Sequence, residues 1–228
     1  MLTKCQQQLV MSLMRVGAFK VDTKEGFRLS LHDKNPHAPL SPFYLNLRTD
    51  SNPKPGPLTD DLVRGIAIEI VQAVAKRHIR FDAIAGIPNA GRPFAQAAER
   101  YLHDIRSPVA HVSLMKSEDS KGLRRLRVHT DSSATNGSME AKHVLLIDDL
   151  VTSKTMKEMA AEALLNAGHK VAGIGVYLDR SKSGIRKLSK PDVPLASVLS
   201  ISDMLAVYRE QKMITEDDAQ AIKRYLAQ

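Results

Sequence analysis

Apolar residues at Leu9, Val10, Leu13, Met14 and Val16 fall on one face of a helix that should run from Thr3 to Val16 and stop at Gly17. The triplet Gln6, Gln7, Gln8 interrupts the apolar run that a secretion signal would need, so the segment reads as a folded helix. Three short extended pieces follow, AFKV at 18–21, FRLSL at 27–31 and FYLNL at 43–47, and prolines at 36, 39 and 42 make the stretch between the last two a loop. A second helix begins after the proline-rich segment 50–57. Thr59 can cap it, Asp60 and Asp61 sit in its positive first turn, and Lys76, Arg77 and His78 sit in its negative last turn. Leu62, Ile66, Ile70 and Val74 give it a buried face.

From residue 81 onward, strand and helix patterns alternate. The segments 81–87, 108–114, 143–148, 170–178 and 194–201 read as strands, and 91–104 and 153–168 as helices, the second closing on Gly168. Two short helices, around 201–210 and 215–227, end the sequence. Continuously apolar strands alternating with helices predict an α/β fold in which a parallel sheet is buried on both faces. The organisation expected is a single domain over 1–228, with an N-terminal helix and hood over 1–50 and a helical tail over 201–228. The polar segment 116–142 is too long for an ordinary connection and carries Lys116, Lys121, Arg124, Arg125 and Arg127. It reads as a mobile loop whose cations close over an anion, with a hairpin insertion as the alternative.

Composition narrows this picture only a little. Of the 228 residues, 43% are hydrophobic and 25% charged, which excludes a disordered, collagenous or coiled-coil chain. The net charge of +8 favours anionic partners, whether phosphorylated metabolites, nucleic acid or a membrane surface. The single cysteine, Cys5, rules out a disulfide within the chain and a cysteine-based zinc cluster, and a reducing, cytoplasmic setting is expected. Cys5 itself is expected in the core, on the helical stripe. No apolar run approaches the roughly 20 residues of a membrane span, so no membrane partner is expected. The eight histidines show no metal-ligand spacing, and no protein-bound metal site is expected. Arg124, Arg125 and Arg127 lack the aromatic platform or helix-turn-helix pattern that would make nucleic acid the favoured partner.

The most informative stretch is HVLLIDDLVTSKT, residues 143–155. A buried strand ends in two carboxylates, Asp148 and Asp149. The hydroxyl-rich turn Thr152, Ser153, Lys154, Thr155 then opens a helix. Such a turn gathers backbone N–H groups, hydroxyls and the positive end of a helix in one place, which makes an anion site of phosphate size. Two acids beside it can accept hydrogen bonds from vicinal hydroxyls, or hold Mg²⁺ through its waters. Together they would grip a sugar phosphate, at the carboxyl end of a strand where open α/β sheets bind ligands.

This stretch resembles the ribose-phosphate signature of type I phosphoribosyltransferases, which use phosphoribosyl pyrophosphate (PRPP). Three further segments, in the family's order, are similar to those of orotate phosphoribosyltransferases: LSPFYLNLR at 40–48, FDAIAGIPNAGRPFA at 81–95 and GVYLDRSKSG at 175–184. The resemblance implies a parallel twisted sheet flanked by helices, with a small N-terminal hood. It implies transfer of the phosphoribosyl group to orotate, giving orotidine 5′-monophosphate and pyrophosphate in pyrimidine nucleotide biosynthesis, with Mg²⁺ as cofactor. It also implies a cytoplasmic homodimer. Asp148 and Asp149 would hold the ribose hydroxyls, and Thr152, Ser153, Lys154 and Thr155 the 5′-phosphate. Pro88, Asn89 and Ala90 would hold the pyrophosphate, Phe43, Tyr44, Thr152 and Arg180 the orotate, and Lys116 and Lys121 would supply catalytic cations.

Some positions depart from the family pattern. The long loop has Met115, Lys116 and Asp119 where the family has Arg, Lys and Lys. Ser30 stands near the place of a base-contacting Lys, and Lys154 where a Gly is usual. Two other readings therefore stand beside orotate transfer: a phosphoribosyltransferase for another nucleobase, and a non-catalytic relative that senses PRPP or nucleotides.

Overall fold

In the computed structural model, Thr3 opens the first helix, α1 (Lys4–Arg15), with a reciprocal capping box: its hydroxyl accepts from the Gln6 N–H, and the Gln6 side chain accepts from the Thr3 N–H. The structure describes residues 2–33, 35–118, 124–129, 140–151, 155–181, 187–189 and 192–227. They fall into two compact units, 1–62 with 199–228, and 63–198.

In the first unit α1 buries Gln6, Leu9, Val10 and Leu13. Cys5 is exposed, which corrects its expected place in the core. The buried stripe starts one residue later, at Gln6, and the neighbouring position points away from it. Strands β1 (Phe19–Val21) and β2 (Phe43–Leu45) pair antiparallel. The expected strand at 27–31 is reduced to a bridge between Phe27 and Ser41, followed by a 3-10 turn over Ser30–Asp33. The buried His32 ring explains the difference. Its Nδ1 lies 2.9 Å from the Leu29 nitrogen and its Nε2 3.3 Å from the Pro39 carbonyl, so it ties the turn together from inside.

The segment 201–227 forms two helices of the same unit, α5 (Ile201–Glu210) and α6 (Glu216–Ala227), each entered through a Ser or Thr that pairs with an Asp three residues on. Tyr208 of the first of these packs on Phe19, with ring centroids 4.9 Å apart, and donates its hydroxyl to the Val10 carbonyl at 2.9 Å.

The helix expected after Thr59 is α2 (Asp60–Lys76), and Leu62, Ile66, Ile70 and Val74 are all buried. The second unit is built on a sheet that contains β3 (Ala83–Gly86), β4 (Ala110–His111), β7 (His143–Val151), β8 (Lys170–Asp179), β9 (Lys187–Ser189) and β10 (Asp192–Ser200). The strand order is β4-β3-β7-β8-β10-β9. β4, β3, β7 and β8 run parallel, and β9 closes the edge antiparallel to β10.

Helices cover both faces of this parallel sheet, as the sequence pattern predicts. On one face Ala83, Ala85, Val144, Leu146, Ile174 and Val176 pack on Ala160, Ala161 and Leu164 of α4 (Thr155–Asn166). On the other, Gly173 and Gly175 leave room for Ile79 and for Ile70 of α2. The helix α3 (Gly91–Asp104) packs on β3 and β7.

The polar segment is not a plain loop. β5 (Leu114–Glu118) and β6 (Arg124–Val128) form an antiparallel ribbon, anchored by Leu114 and Leu126 in the same core as α4. The strand expected at 108–114 is accordingly split: Ala110 and His111 join the main sheet, and Leu114 starts the ribbon. Residues 119–123 and 130–139 of the expected mobile loop lie outside the described residues. Among the described residues no helix is long and apolar enough to cross a membrane.

Candidate functional site

β7 continues to Val151, three residues beyond the expected end at Asp148, because Leu150 and Val151 still pair with Leu178 and Asp179 of β8. The acid pair therefore stands within the last residues of a central strand. Asp148 follows Val144 and Leu146 at the strand period of two, which turns it towards the α4 face. It is buried, and its Oδ2 accepts from Lys157 of α4 at 2.5 Å, while its Oδ1 accepts from the Asp149 N–H at 3.0 Å. The Lys157 ammonium also donates to the Leu150 carbonyl at 2.7 Å. Asp149 accepts from the Leu150 N–H at 2.7 Å. Its carboxyl is pushed up to about 8, first by burial and then by the neighbouring Asp148 charge, against the opposing pull of Lys157.

The second wall is the turn after β3. Pro88, Asn89 and Ala90 link β3 to α3, and the Pro88–Asn89 peptide is cis. The Gly91 N–H donates to the Ile87 carbonyl at 2.9 Å, and the Ile87 N–H to the Ile147 carbonyl at 2.8 Å. A Cβ on Gly91 would strike the Ile147 carbonyl and stand 3.1 Å from the Asp148 Cα. Any side chain at residue 91 would thus push the turn off the acid strand. Arg92 ties the start of α3 to β5 by donating to the Leu114 carbonyl at 2.7 Å. A cleft of about 260 Å³ opens here, lined by Gly86, Arg92, Gln96, His111, Ser113 and His129.

The third element is the end of β8. The Arg180 N–H donates to the Val151 carbonyl at 2.8 Å, and Asp179 accepts from the N–H and hydroxyl of Ser181 at 2.8 and 2.6 Å. Arg180 therefore sits one strand over from the acid pair, at the same end of the sheet.

The structure thus brings together Asp148, Asp149, the turn Pro88, Asn89, Ala90, and Arg180. Thr155 is the exposed first residue of α4, and Lys116 is exposed on β5 opposite Leu126. Thr152, Ser153, Lys154 and Lys121 lie outside the described residues. Phe43 and Tyr44 belong to the first unit. Phe43 is 1% exposed, 5.7 Å from the Phe19 ring and 6.3 Å from Tyr225. Phe43 thus packs in the core of its unit, and alternation along β2 leaves Tyr44 the more exposed of the two rings.

The residue missed from the sequence is Lys157. Its signal was present: Lys157, Ala160, Ala161 and Leu164 share the i, i+3, i+4, i+7 spacing of a buried stripe, and a lysine on such a stripe needs an acid.

Among the described residues no cluster of three or more His, Cys, Asp or Glu could hold a metal. Both oxygens of Asp148 already accept protein hydrogen bonds. The donor set fits Mg²⁺ only as an ion that keeps its waters and is carried on substrate phosphates.

A parallel sheet with acids and a tight backbone turn at its carboxyl ends is a ligand-binding α/β architecture. The phosphoribosyl transferase domain family matches residues 54–202, and the chain belongs to that family. This sustains the expected enzyme class, a glycosyltransferase that moves phosphoribosyl groups.

Among curated relatives, the orotate phosphoribosyltransferase of Sulfurisphaera tokodaii is 28% identical over 192 residues, covering 82% of this chain and 85% of the relative. The crystal structure of the Francisella tularensis orotate phosphoribosyltransferase superposes with a TM-score of 0.65 at 18% identity, covering 96% of both chains. The Leishmania donovani UMP synthase structure gives a TM-score of 0.67 at 23% identity; the chain is covered to 97% but spans only 42% of that longer protein.

Proposed function

We propose that this protein transfers the phosphoribosyl group of PRPP to orotate, releasing pyrophosphate and forming orotidine 5′-monophosphate. The observation that carries the reading is the packing of the turn Pro88, Asn89, Ala90 against the strand that ends in Asp148 and Asp149. That packing sets backbone donors beside carboxylate acceptors, as a molecule with a diol and a diphosphate requires.

In this reading the acid pair accepts hydrogen bonds from the ribose 2′ and 3′ hydroxyls. Residues 152–155 and the start of α4 take the 5′-phosphate, and the turn at 88–90 takes the pyrophosphate. The bond from the anomeric carbon to the pyrophosphate oxygen breaks, and its electron pair leaves with pyrophosphate. A ring nitrogen of the base bonds to the same carbon and gives up its proton to water. The transition state carries positive charge on the sugar, so the acids contribute both positioning and electrostatic stabilisation. Bound Mg²⁺ supplies counter-charge to the pyrophosphate. Lys116 on β5 and Lys121 add cations, and Arg180 pairs its planar fork with the carboxylate or a ring oxygen of orotate. A homodimer in the cytoplasm belongs to the same reading.

The test is to incubate the protein with PRPP, Mg²⁺ and a panel of nucleobases and to measure pyrophosphate release. Release with orotate alone is expected. Release only with another base moves the acceptor assignment, and PRPP binding without release under any base makes the protein a PRPP-binding relative.

A further inference from the structure

Lys157 is 5% exposed on the apolar side of α4, between a strand of acids and a stripe of alanines. A lysine in that position is costly unless its charge is paired and its protons are placed. Both conditions are met. The ammonium donates to the Asp148 carboxylate and to the Leu150 carbonyl, the residues on either side of Asp149. The clamp therefore spans the acid pair from below and grips the strand on both sides of the second acid. Pairing with β8 holds the strand's backbone, and the N–H groups at 149 and 150 also donate to the acids' own side chains, so the ammonium adds a restraint on the carboxylates that the ladder does not supply.

We infer that Lys157 is a positioning residue of the phosphoribosyl site: by holding Asp148 and the Leu150 carbonyl together it sets the direction in which Asp149 meets the ribose hydroxyls. This division of labour rests on the proposed function, and it goes beyond it by giving the two acids different tasks. Asp148 is the anchored member, with both oxygens engaged inside the protein. Asp149 is the adjustable member. The charges that act on Asp149 are Asp148 on its own strand, which raises its affinity for a proton, and Lys157 from α4, which lowers it. Removing the ammonium leaves two neighbouring carboxyl groups without the cation that pairs with Asp148.

Lys157→Met, Lys157→Gln and Lys157→Arg separate the charge from the volume. Met keeps an unbranched side chain that packs against Ala160, Ala161 and Leu164. Gln keeps donors and loses the charge, and replaces Met in the comparison if Met does not fold. Arg keeps the charge. The dissociation constant of PRPP with Mg²⁺ is measured by calorimetry across the pH range around neutrality, and thermal unfolding is followed in parallel.

The expected result is that Met or Gln weakens PRPP binding about tenfold or more near pH 7, the size expected for disturbing a charge-assisted contact. Affinity should then recover only at a higher pH than in the wild type. Arg should stay within about threefold and keep the wild-type pH profile. Wild-type affinity and an unshifted profile in the Met or Gln protein would overturn the inference while leaving the function standing. So would equal losses in Met and Arg, which would mean that only packing matters. If the wild type does not bind PRPP, the functional reading falls, and this inference falls with it.

Discussion

Gly91 lies so close to the Ile147 carbonyl that a single added methyl group has no room between them. This contact joins the two halves of the candidate site, because Gly91 ends the turn at 88–90 and Ile147 precedes the acid pair. Gly91→Ala should separate them. The expected stability loss is about 1–3 kcal/mol, as for other overpacked positions, and PRPP affinity should fall by more than the residual stability explains. Urea unfolding together with calorimetry on the folded protein checks this. An unchanged affinity would show that the turn and the acids do not act as one site.

Above about pH 8, where its carboxyl is ionised, Asp149→Asn should reduce turnover about tenfold to a hundredfold, the value of a charge-assisted hydrogen bond to a ribose hydroxyl. It should also change how stability depends on pH. The Asp149 carboxyl is pushed from 3.8 to about 8 in the folded protein. Between those values the folded state keeps a proton that the unfolded state has released. The stabilisation is therefore fully present below about pH 4 and is lost as pH rises towards about 8. The Asn variant should lack this decline and be the more stable protein at the alkaline end. Melting temperatures of both proteins from mildly acidic to mildly alkaline buffer give the comparison, and parallel curves would contradict the account.

Arg180→Lys should raise the Michaelis constant for orotate much more than that for PRPP. Lysine keeps the charge but loses the two-pronged planar contact. The Arg180 backbone bond to Val151 is unaffected by the change, so the strand end stays in place. Initial-rate kinetics with each substrate varied in turn decide the matter; equal effects on both constants would move Arg180 away from the base.

Tyr208→Phe tests the first unit separately. The Tyr208 hydroxyl and the Val10 carbonyl are both buried and 198 residues apart in sequence. Losing their bond should cost about 1 kcal/mol, which for a chain of this size is a fall of about 2–4 °C in melting temperature. Turnover should be unchanged. A melting temperature equal to that of the wild type would show that the bond contributes nothing net.

The parts of the fold that were legible in the sequence are those with a repeating local signal. The helix at 91–104 matches its predicted bounds, and Gly17 and Gly168 mark helix ends with positive φ, as their positions suggested. The parts that were not legible depend on partners far along the chain. β7 outruns its apolar stretch because β8 continues to pair with it, and the ribbon of β5 and β6 is pinned by Leu114, Leu126 and Val128 within a polar, basic segment. The acid pair could be read directly because carboxylates after a run of four apolar residues stand out. The stripe that Lys157 shares with Ala160, Ala161 and Leu164 marks it as buried but does not name its partner. It becomes meaningful only when the period of α4 and the period of β7 are set face to face, which places lysine and Asp148 on the same buried side. The burial of Phe43 against Phe19 could not be read either, because its ring partner lies in a different strand of the unit.

The central claim is that the acid strand and the turn at 88–90 form a site that transfers phosphoribose to orotate. The most direct measurement follows orotate itself, by its ultraviolet absorbance, in the presence of the wild-type protein, PRPP and Mg²⁺, with the nucleotide product identified by mass. The account predicts consumption of orotate matched by formation of orotidine 5′-monophosphate, slowed about tenfold or more in Asp149→Asn above about pH 8. Constant orotate absorbance in the presence of folded, PRPP-saturated wild-type protein would contradict it.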